Sequence, residues 1–532
     1  MTARGEAAAA GGIETAMRSW RAAVTAALLL LATAAAAQDV TLRSPDGEVA
    51  IEGTLLGFDG RYYRVDTVYG ELTVDSSGVL CEGPGCPGLE PFVAELRLSG
   101  APAVTDVLIP ALIEGFARRS GFALERTEVG PDRRRFALRA PEGERLARIH
   151  LRATTTDEAF ADLLADEADI AIAVRAVRPE EAARAREAGL GDLTADGQRR
   201  VLALDALVPV VAPGHPVRAI APAELLRVLS GDIDSWAALG GPDAPITLHL
   251  RAAGSGLAQV VADRLLAPAD VTLGADVVRH ASDAALAEAV ARDRLGLGLA
   301  RFARMGDAQP LALTGPCGRA LRAERRAIKM EDYPLPAPVF LYLPRRRLPE
   351  IARDFLAYMQ SAPAQIVIRR AGFVDQAAEE VAIADQGARF ANAIAAAGPE
   401  VPLSELQRLV ATLRPMRRLT TSFRFRPGAV ELDAQSRANV ARLARALGAG
   451  RYDGRELLFV GFSDGQGPAP TNRRIAQRRA DAVRAAVEAA VRDADLAQVD
   501  LGTDAFGEAM PMACDDSAWG RQVNRRVEVW VR

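Results

Sequence analysis

The sequence predicts a multidomain protein with a small all-β unit at the N-terminus, a two-lobed α/β region in the middle and an α+β sandwich at the C-terminus. The first observation is length, because at about 100–200 residues per domain the 532 residues should form several globular units. The second is composition: 49% apolar and 25% charged residues are typical of folded domains, not of disordered chains or integral membrane proteins. The third is the pattern of apolar residues, which changes from strand-like alternation to strands and helices in turn.

Charge is nearly balanced along this chain. The 65 basic and 69 acidic residues give a net charge of −4, so the sequence predicts no nucleic-acid partner. Lys329 is the single lysine, and the other basic residues are arginines. The accompanying abundance of alanine, glycine and proline favours a compositional bias as the main cause of the arginine excess.

The N-terminal residues 1–37 have the pattern of a secretory signal peptide. Arg18 and Arg21 precede an apolar run that starts at Ala22 and ends in small residues before Gln38. We expect Met17 to be the true start and cleavage to follow residue 37. Position 38 is not a cysteine, so a lipid anchor is not expected, and the mature protein should be exported.

Export makes the four cysteines candidates for disulfides. Cys81 and Cys86 flank a Glu-Gly-Pro-Gly turn that would bring their sulfur atoms together. Cys317 and Cys514 either bridge two domains or remain separate buried thiols. Neither has a nearby cysteine or histidine, so no zinc site is predicted.

Residues 38–90 form the predicted β unit. Short alternating runs are separated by turns such as Asp46-Gly47 and Asp59-Gly60, which is typical of a small antiparallel sheet or barrel. The segment has no recognisable catalytic residues, and its role stays open.

Residues 94–375 alternate between strands and helices and are long enough for two lobes. Two strand-to-helix turns are rich in glycine and small hydroxyl residues, one at 99–101 and the other at 251–256. Free backbone N–H groups at such turns can bind an oxyanion, and Arg251 would add a charged donor. An ordinary strand–helix corner is the alternative interpretation of each turn.

The run from Pro222 to Gly256 resembles the second-lobe signature of phosphate-type (PstS-like) periplasmic substrate-binding proteins. The resemblance implies a type II periplasmic binding protein fold, with two hinged lobes that close on a small oxyanion such as phosphate. An ABC permease or another envelope protein becomes a candidate partner. The residues that the resemblance assigns to anion binding are Ser99, Ala101, Arg251, Ser255 and Gly256, with Arg175 as a further candidate.

Two departures from the family pattern bear on the ligand. Leu257 stands where relatives commonly have a threonine, and Ala173-Val174 replaces hydroxyl residues after a buried strand. No carboxylate that could accept a hydrogen bond from a protonated phosphate is evident, so a fully ionised anion or another ligand is an alternative.

Residues 376–418 are predicted to be a helical linker, and 419–532 to be a sandwich with helices on one face of its sheet. The final segment resembles the OmpA-like peptidoglycan-binding domain. The motif residues are Gly461 to Asp464, Gly467, Asn472, Arg479 and the closing run from Asn524 to Glu528.

This second resemblance implies that Asp464 and Arg479 bind the ammonium and carboxylate of diaminopimelate in the wall peptide, with Asn472 and Arg525 at the same site. The alternative is a structural salt bridge between loop and helix. Phe462 stands where the family has a histidine, which removes a polar group.

No catalytic function is predicted. Hydrolase and P-loop motifs are absent from the sequence, and no cofactor is expected. The four histidines share no metal-ligand spacing; they are His150, His215, His249 and His280. We expect a solute-binding protein in the periplasm of a Gram-negative bacterium, associated with peptidoglycan and the outer membrane. The alternative is a structural envelope tether whose binding domain has lost its ligand and contacts a protein partner.

Overall fold

The computed structural model describes residues 39–88, 92–315, 320–425, 431–491, 496–516 and 518–532. The expected signal peptide therefore lies outside the described residues. Contacts divide the chain into two units, of which the first runs to Ala94 and includes Arg347–Ile351. The second unit contains Glu95–Arg346 and Ala352–Arg532. Within the described ranges, no helix combines the length and apolar character that crossing a membrane requires.

The first unit is an antiparallel sheet in the order β4-β3-β2-β1-β5. Its strands are β1 (Val40–Arg43), β2 (Ala50–Phe58), β3 (Tyr62–Thr67), β4 (Gly70–Asp75) and β5 (Leu80–Glu82). The core is small, and Leu42 and Val65 are its fully buried members. Cys81 and Cys86 form the disulfide that the turn between them predicts, with their Cα atoms 5.8 Å apart. This bond closes the unit beside β1, where Leu42 lies opposite Cys81.

The second unit begins with the two-lobed region. Its strands are β6 (Ala94–Gly100), β7 (Ala123–Glu128), β8 (Arg133–Arg139), β9 (Arg145–Ala153), β10 (Ile170–Ala173), β11 (Arg199–Ala203), β12 (Leu207–Val211), β13 (Ala219–Ile220), β14 (Thr247–Arg251), β15 (Val278–His280), β16 (Gly296–Arg301), β17 (Gln309–Pro310), β18 (Ala312–Leu313) and β19 (Val339–Tyr342). Its helices are α1 (Pro102–Thr105), α2 (Leu108–Ser120), α3 (Thr156–Leu164), α4 (Pro179–Glu187), α5 (Pro222–Ser230), α6 (Gly256–Val261), α7 (Asp283–Arg292), α8 (Arg325–Lys329), α9 (Glu350–Tyr358) and α10 (Ala362–Arg370).

Each lobe is built on one mixed sheet. The first-lobe sheet has the order β11-β19-β10-β6-β9-β8-β7, and the second-lobe sheet has the order β15-β14-β16-β12-β17. In the first lobe β6 and β10 are parallel, and a Cβ on Gly100 would meet the Ile172 carbonyl oxygen at 2.3 Å. Glycine is therefore required for the close approach of these strands where β6 ends.

Both lobes share a hydrophobic core. Its buried residues include Ala171 of the first-lobe sheet and Leu299 of the second. Strands β10 and β16 are buried along their whole length, as expected for strands covered on both faces.

The C-terminal region contains β20 (Glu380–Val381), β21 (Arg417–Arg424), β22 (Glu456–Phe462), β23 (Asp500–Gly507) and β24 (Arg526–Val531), in the sheet order β20-β21-β24-β22-β23. Its helices are α11 (Gly387–Ala395), α12 (Leu403–Leu413), α13 (Ala434–Gly448), α14 (Ala469–Ala490) and α15 (Ala518–Asn524). In the sheet, β22 and β23 are parallel, and β24 runs antiparallel to β22 and β21.

The two long helices within 419–532, α13 and α14, pack on one face of this sheet as predicted, and α11 and α12 of the preceding segment cover the other face. Leu457 and Phe459 of β22 pack in one cluster with residues of α13 and α14. Leu458 and Val460, which point to the opposite face, pack in a second cluster with α11 and α12. An almost continuous apolar strand such as β22 can bury both of its faces.

The prediction that residues 376–418 are a linker is wrong. The segment is helical, but Leu406, Leu409 and Leu413 form one apolar face of α12 that packs on the C-terminal sheet. In addition, β20 pairs antiparallel with β21 and extends the sheet by one strand. The segment is thus part of the C-terminal fold.

Buried contacts join this fold to the two-lobed region. Arg418 pairs with Asp332, and Arg424 donates to the Glu331 backbone oxygen at 2.6 Å. Lys329 is buried nearby, where its Nζ donates to Asp375 Oδ1 at 2.9 Å, to the Ala377 backbone oxygen at 3.1 Å and to Glu379. Met512 and Val523 of the C-terminal fold belong to the same hydrophobic cluster as the lobes.

Of the two cysteines left open by the sequence, Cys317 lies outside the described residues. Cys514 is buried and disulfide-bonded. Its Sγ lies beside Gly315, where a built Cβ would approach within 2.8 Å.

Candidate functional site

A cavity of about 450 Å³ lies between the ends of the two lobe sheets. Its first-lobe wall includes Ala101, Asp132, Arg152, Thr154, Thr155 and Glu158, and its second-lobe wall includes Arg251, Ser255, Gly256, Leu257, Asp283 and Arg301. Most of these residues end or follow strands β6, β9, β14, β15 and β16, and Asp132 lies between β7 and β8. Cavities beyond the ends of strands are the usual ligand sites of open α/β sheets.

Arg251 is the predicted donor that the structure places in this cavity. Its Nε donates to Asp283 Oδ1 at 2.6 Å, and its Nη1 donates to the His280 backbone oxygen at 2.6 Å. Both side chains of the Arg251–Asp283 pair are 11% exposed. Nη2 takes part in neither contact, so the guanidinium is oriented and retains a donor group for a ligand.

The turn after Arg251 brings the lobes into contact. Ser255 caps α6, and its Oγ accepts a hydrogen bond from the Ala258 N–H at 3.2 Å. A Cβ on Gly256 would meet Val174 Cγ2 of the first lobe at 2.3 Å and Thr156 Oγ1 at 2.9 Å. Glycine at 256 therefore lets the second-lobe turn lie against the first lobe.

Two predicted anion contacts lie elsewhere. Ser99 is buried and donates from Oγ to Asp162 Oδ2 at 2.5 Å, and it does not line the cavity. Arg175 is held by three side chains: it pairs with Asp157, with Glu181 Oε1 at 2.6 Å and, through Nε, with Gln259 Oε1 at 2.8 Å. Arg175 does not line the cavity, so the expectation that it binds an anion there is wrong: these acceptors occupy its guanidinium.

The structure adds two arginines that the sequence analysis missed. Arg152 donates from Nη1 to Asp162 at 2.7 and 2.9 Å, and Arg301 is buried with its Nη1 3.3 Å from Asp205 and its Nε 3.6 Å from Asp283. Each lies at or next to the end of a strand that points into the cavity, a position that could have been recognised once the strand order was known.

Carboxylates also line the cavity, although none was evident from the sequence. They are Asp132, Glu158 and Asp283. Hydrogen bonds from the Thr154 hydroxyl and the Thr155 N–H lower the pKa of Glu158, which keeps it ionised and oriented. The cavity therefore combines guanidinium and hydroxyl donors with carboxylate acceptors.

The second candidate site lies at the loop after β22. Asp464 is largely buried, and its Oδ2 lies 3.2 Å from Arg525 Nη1. Arg479 of α14 is 7% exposed, its guanidinium stacks 5.2 Å from the Phe425 ring centre, and its Nε has no hydrogen-bond partner among the described residues. Burial, and then the charge of Arg525, lower the pKa of Arg479, whereas Asp464 raises it. The structure thus brings Asp464, Arg479 and Arg525 together.

Asn472, the fourth predicted residue, supports the loop instead. Its Nδ2 donates to Glu508 Oε2 at 2.5 Å and to the Gly467 backbone oxygen at 3.2 Å. Phe462 replaces the expected histidine and is fully buried, with the Arg526 guanidinium 4.2 Å from its ring centre. An apolar ring at this position therefore belongs to the core beneath the loop.

Two known protein families match the two regions that contain these candidate sites. Residues 88–363 match the PBP superfamily domain, and residues 424–525 match the OmpA family. The chain is 28% identical over 233 residues to Protein SphX of Synechococcus elongatus, which covers 41% of this chain. The chain spans 66% of the length of that relative, slightly less than two thirds.

Solved structures resemble each region separately. A phosphate ABC transporter substrate-binding protein from Clostridium perfringens, solved with bound phosphate, is 16% identical with a TM-score of 0.40, covering 53% of this chain and 99% of its own. The peptidoglycan-associated lipoprotein of Burkholderia pseudomallei is 24% identical with a TM-score of 0.19, covering 21% of this chain and 90% of its own. From the family match over 88–363, which is more than half of the chain, we conclude that this protein belongs to the PBP superfamily and carries a C-terminal OmpA family domain.

Proposed function

We propose that this protein is a non-enzymatic solute-binding protein of the periplasm that captures an anionic solute between its lobes and is held at the cell wall by its OmpA family domain. The observation that carries the solute assignment is the oriented Arg251 guanidinium, which faces a cavity shared by both lobes. The observation that carries the wall assignment is the buried Arg479, whose Nε is unpaired beside Asp464 and Arg525.

The donors and acceptors of the cleft suit a small, partly protonated oxyanion. Arg251 and the Ser255 hydroxyl offer hydrogen bonds to ionised oxygens, while Asp283 and Asp132 can accept one from an acidic O–H. Monohydrogen phosphate has both kinds of oxygen, whereas sulfate at neutral pH has no proton to donate. Phosphate is accordingly our first candidate among anions.

Calorimetric titration of the mature protein with phosphate, sulfate and related anions tests this assignment. We expect at least one anion to bind with micromolar affinity and Arg251→Gln to weaken that binding at least tenfold, since the variant removes a charge-assisted contact of about 1.5–3 kcal/mol. Arg227→Gln on the exposed side of α5 is the matched control and should bind normally. If no anion binds to the folded protein, the tether without a ligand becomes the better assignment.

The C-terminal site suits an amino acid head group. Diaminopimelate of the wall peptide carries an ammonium and a carboxylate on one carbon, and these match the Asp464 carboxylate and the Arg479 guanidinium. Because Arg479 is buried without a carboxylate bonded to its Nε, a ligand carboxylate would satisfy a group that is otherwise unpaired.

Co-sedimentation with isolated sacculi tests the wall assignment. We expect Asp464→Asn and Arg479→Gln each to reduce the bound fraction at least tenfold, because each removes one of the two charges that the head group needs. Arg474→Gln, an exposed arginine on the same helix, is the matched control. Unchanged sedimentation of both site variants would overturn the assignment.

An outer-membrane association and an ABC permease partner remain further parts of this proposal. Residues 376–418 pack on the C-terminal sheet and supply no flexible reach. A permease that receives the solute would therefore have to approach the wall-bound protein, which favours storage or sensing over rapid shuttling.

A further inference from the structure

A second charged cavity lies apart from both sites, between the two-lobed region and the C-terminal fold. It has a volume of about 610 Å³ and is bounded by the edge strand β11 and by helix α13. The volume is within the range of small-molecule sites, about 300–1,000 Å³. The cavity shares no lining residue with the cleft around Arg251 or with the loop around Asp464.

Arginines dominate the wall of this cavity. Two belong to β11 and three to α13, namely Arg199, Arg200, Arg437, Arg442 and Arg445. The three on the helix lie on one face, since the lining positions of α13 recur at intervals of three and four residues. The acidic lining residue among the described residues is Asp196, whose Oδ1 accepts from Arg437 Nε at 2.8 Å.

Two of these five guanidiniums, those of Arg442 and Arg445, have neutral side-chain partners. Arg442 donates to Gln376 Oε1 at 2.5 Å and to Asn439, and Arg445 donates to Gln360 Oε1 at 2.5 Å. Arg418, which is buried between the same two regions, has a carboxylate partner in Asp332. Among the described residues, five arginines and one carboxylate, that of Asp196, therefore line the cavity.

Arg199 supplies an independent indication of a ligand. It is 9% exposed, and its Nη2 is buried without a hydrogen bond in the described structure, with Asp196 Oδ1 at 3.8 Å. Burial followed by the charge of Arg437 lowers the pKa of Arg199, and burial followed by the charge of Arg445 lowers the pKa of both Arg200 and Arg442. A buried cation among like charges is unfavourable unless an anion joins it.

We propose that this cavity is a binding site for a small polyanion with two or more phosphate or carboxylate groups. The guanidinium fork binds both kinds of group in the same two-pronged way. Several guanidiniums around one cavity favour a ligand with several anionic groups, because each anionic group can pair with a different arginine. The site would bind its ligand independently of the cleft and of the wall.

Calorimetric titration of the mature full-length protein at low ionic strength tests the proposal, with pyrophosphate, tripolyphosphate and citrate as probes. We expect saturable binding of at least one probe, weakened at least tenfold by Arg442→Gln and by the double variant Arg200→Gln/Arg445→Gln. Orthophosphate should not compete with the probe for this cavity. Binding by citrate alone would identify a polycarboxylate site, and binding by the two oligophosphates alone would identify a phosphate site.

The controls separate this cavity from the other sites. Arg251→Gln in the cleft and Arg478→Gln on the exposed side of α14 should leave probe affinity within twofold of the parent protein. Loss of probe binding in Arg251→Gln, or no probe binding at all, would overturn the proposal.

Thermal unfolding gives a readout that a purely structural role would not produce. If the arginines are retained for a ligand, the ligand-free double variant should unfold at the same temperature as the parent or higher, because like charges are removed. A saturating probe should raise the unfolding temperature of the parent and not that of the variant. If the double variant fails to fold, the titration is carried out with Arg445→Gln alone, since Arg445 is partly exposed. A probe affinity unchanged in Arg445→Gln, together with the failure of the double variant to fold, would show that these arginines have a structural role.

Discussion

The Arg418 guanidinium and the Asp332 carboxylate form a two-pronged ion pair, with Nη1–Oδ2 at 2.6 Å and Nη2–Oδ1 at 2.9 Å. Arg418 is fully buried on β21, and Asp332 is buried just after α8 of the two-lobed region. Arg418 Nε also lies 3.2 Å from Glu528 on β24. The regions proposed to bind solute and wall are thus joined through buried charge and a common core.

Removing one partner of this pair should be costly. We expect Asp332→Ala to lower the free energy of unfolding by about 3–5 kcal/mol, because it leaves the Arg418 charge buried and incompletely paired. Asp385→Ala, which breaks the exposed pair with Arg326, is the control and should cost less than about 1 kcal/mol. Urea unfolding measures both, and equal small effects would contradict the structural role of the pair.

The close approach of Gly256 to Val174 predicts that two nearby glycines respond differently to substitution by alanine. In Gly256→Ala the new methyl group would overlap Val174 Cγ2, so we expect a loss of about 1–3 kcal/mol in stability and weaker anion binding in the cleft. Gly254→Ala adds a methyl group with nothing within 4 Å and should change neither property appreciably. Thermal unfolding and calorimetry distinguish the two variants. The same loss in both would show that contact between the lobes is not the cause.

The hydrogen bond from Asn472 to Glu508 predicts an effect on wall binding without direct contact. Asn472→Asp would place a second carboxylate against Glu508 and remove the donor, so we expect a loosened loop and weaker binding to sacculi at neutral pH. Adding Glu508→Gln to this variant should restore binding in part, because the amide can donate to the new carboxylate. No recovery in the double variant would mean that Asn472 acts in some other way.

Acid should destabilise the second lobe through its histidines. His280 faces His249, whose Nδ1 is 2.9 Å away, and Arg251, while Asp293 lies on the far side of His249. Burial, and then the charges of His249 and Arg251, lower the pKa of His280, and burial lowers the pKa of His215. The unfolded chain then takes up protons first as the pH falls below about 6.5, so stability should decrease by up to about 1.4 kcal/mol per pH unit for each group.

Urea unfolding between pH 7.5 and 5 measures this slope. His280→Gln and His215→Gln should each reduce it, and the double variant should have the smallest slope. A slope that is the same in His280→Gln as in the parent would show that His280 is not involved.

Local patterns predicted much of this protein. The Asp-Gly turns of the first unit, the strand–helix alternation of the lobes and the turn at 251–256 all depend on residues close together in sequence. The pairing of Cys81 with Cys86 was predictable for the same reason, since one short turn separates them. The proximity of Asp464 and Arg479 was predictable because a motif with ordered spacing spans the loop and the helix.

Interactions between distant segments were not predictable in this way. Arg175 resembles a cleft residue by its position after a buried strand, and only the fold reveals that Asp157 and Glu181 bind it. Arg301 enters the cleft because β16 lies beside β14, a neighbour relation that no local pattern contains. The packing of α12 was partly visible in its apolar face, but the sheet that it covers comes later in the chain.

Lys329 gives the protein an unusual chemical property. It is the single lysine of the sequence, and its Nζ is enclosed by Asp375, Ala377 and Glu379. Three separate acceptors suit the three N–H bonds of a compact ammonium better than the planar fork of a guanidinium, which accounts for lysine at this one position. Reagents that acylate primary amines should therefore modify the folded chain at its α-amino group alone, and acylation of Lys329 becomes a direct chemical record of unfolding.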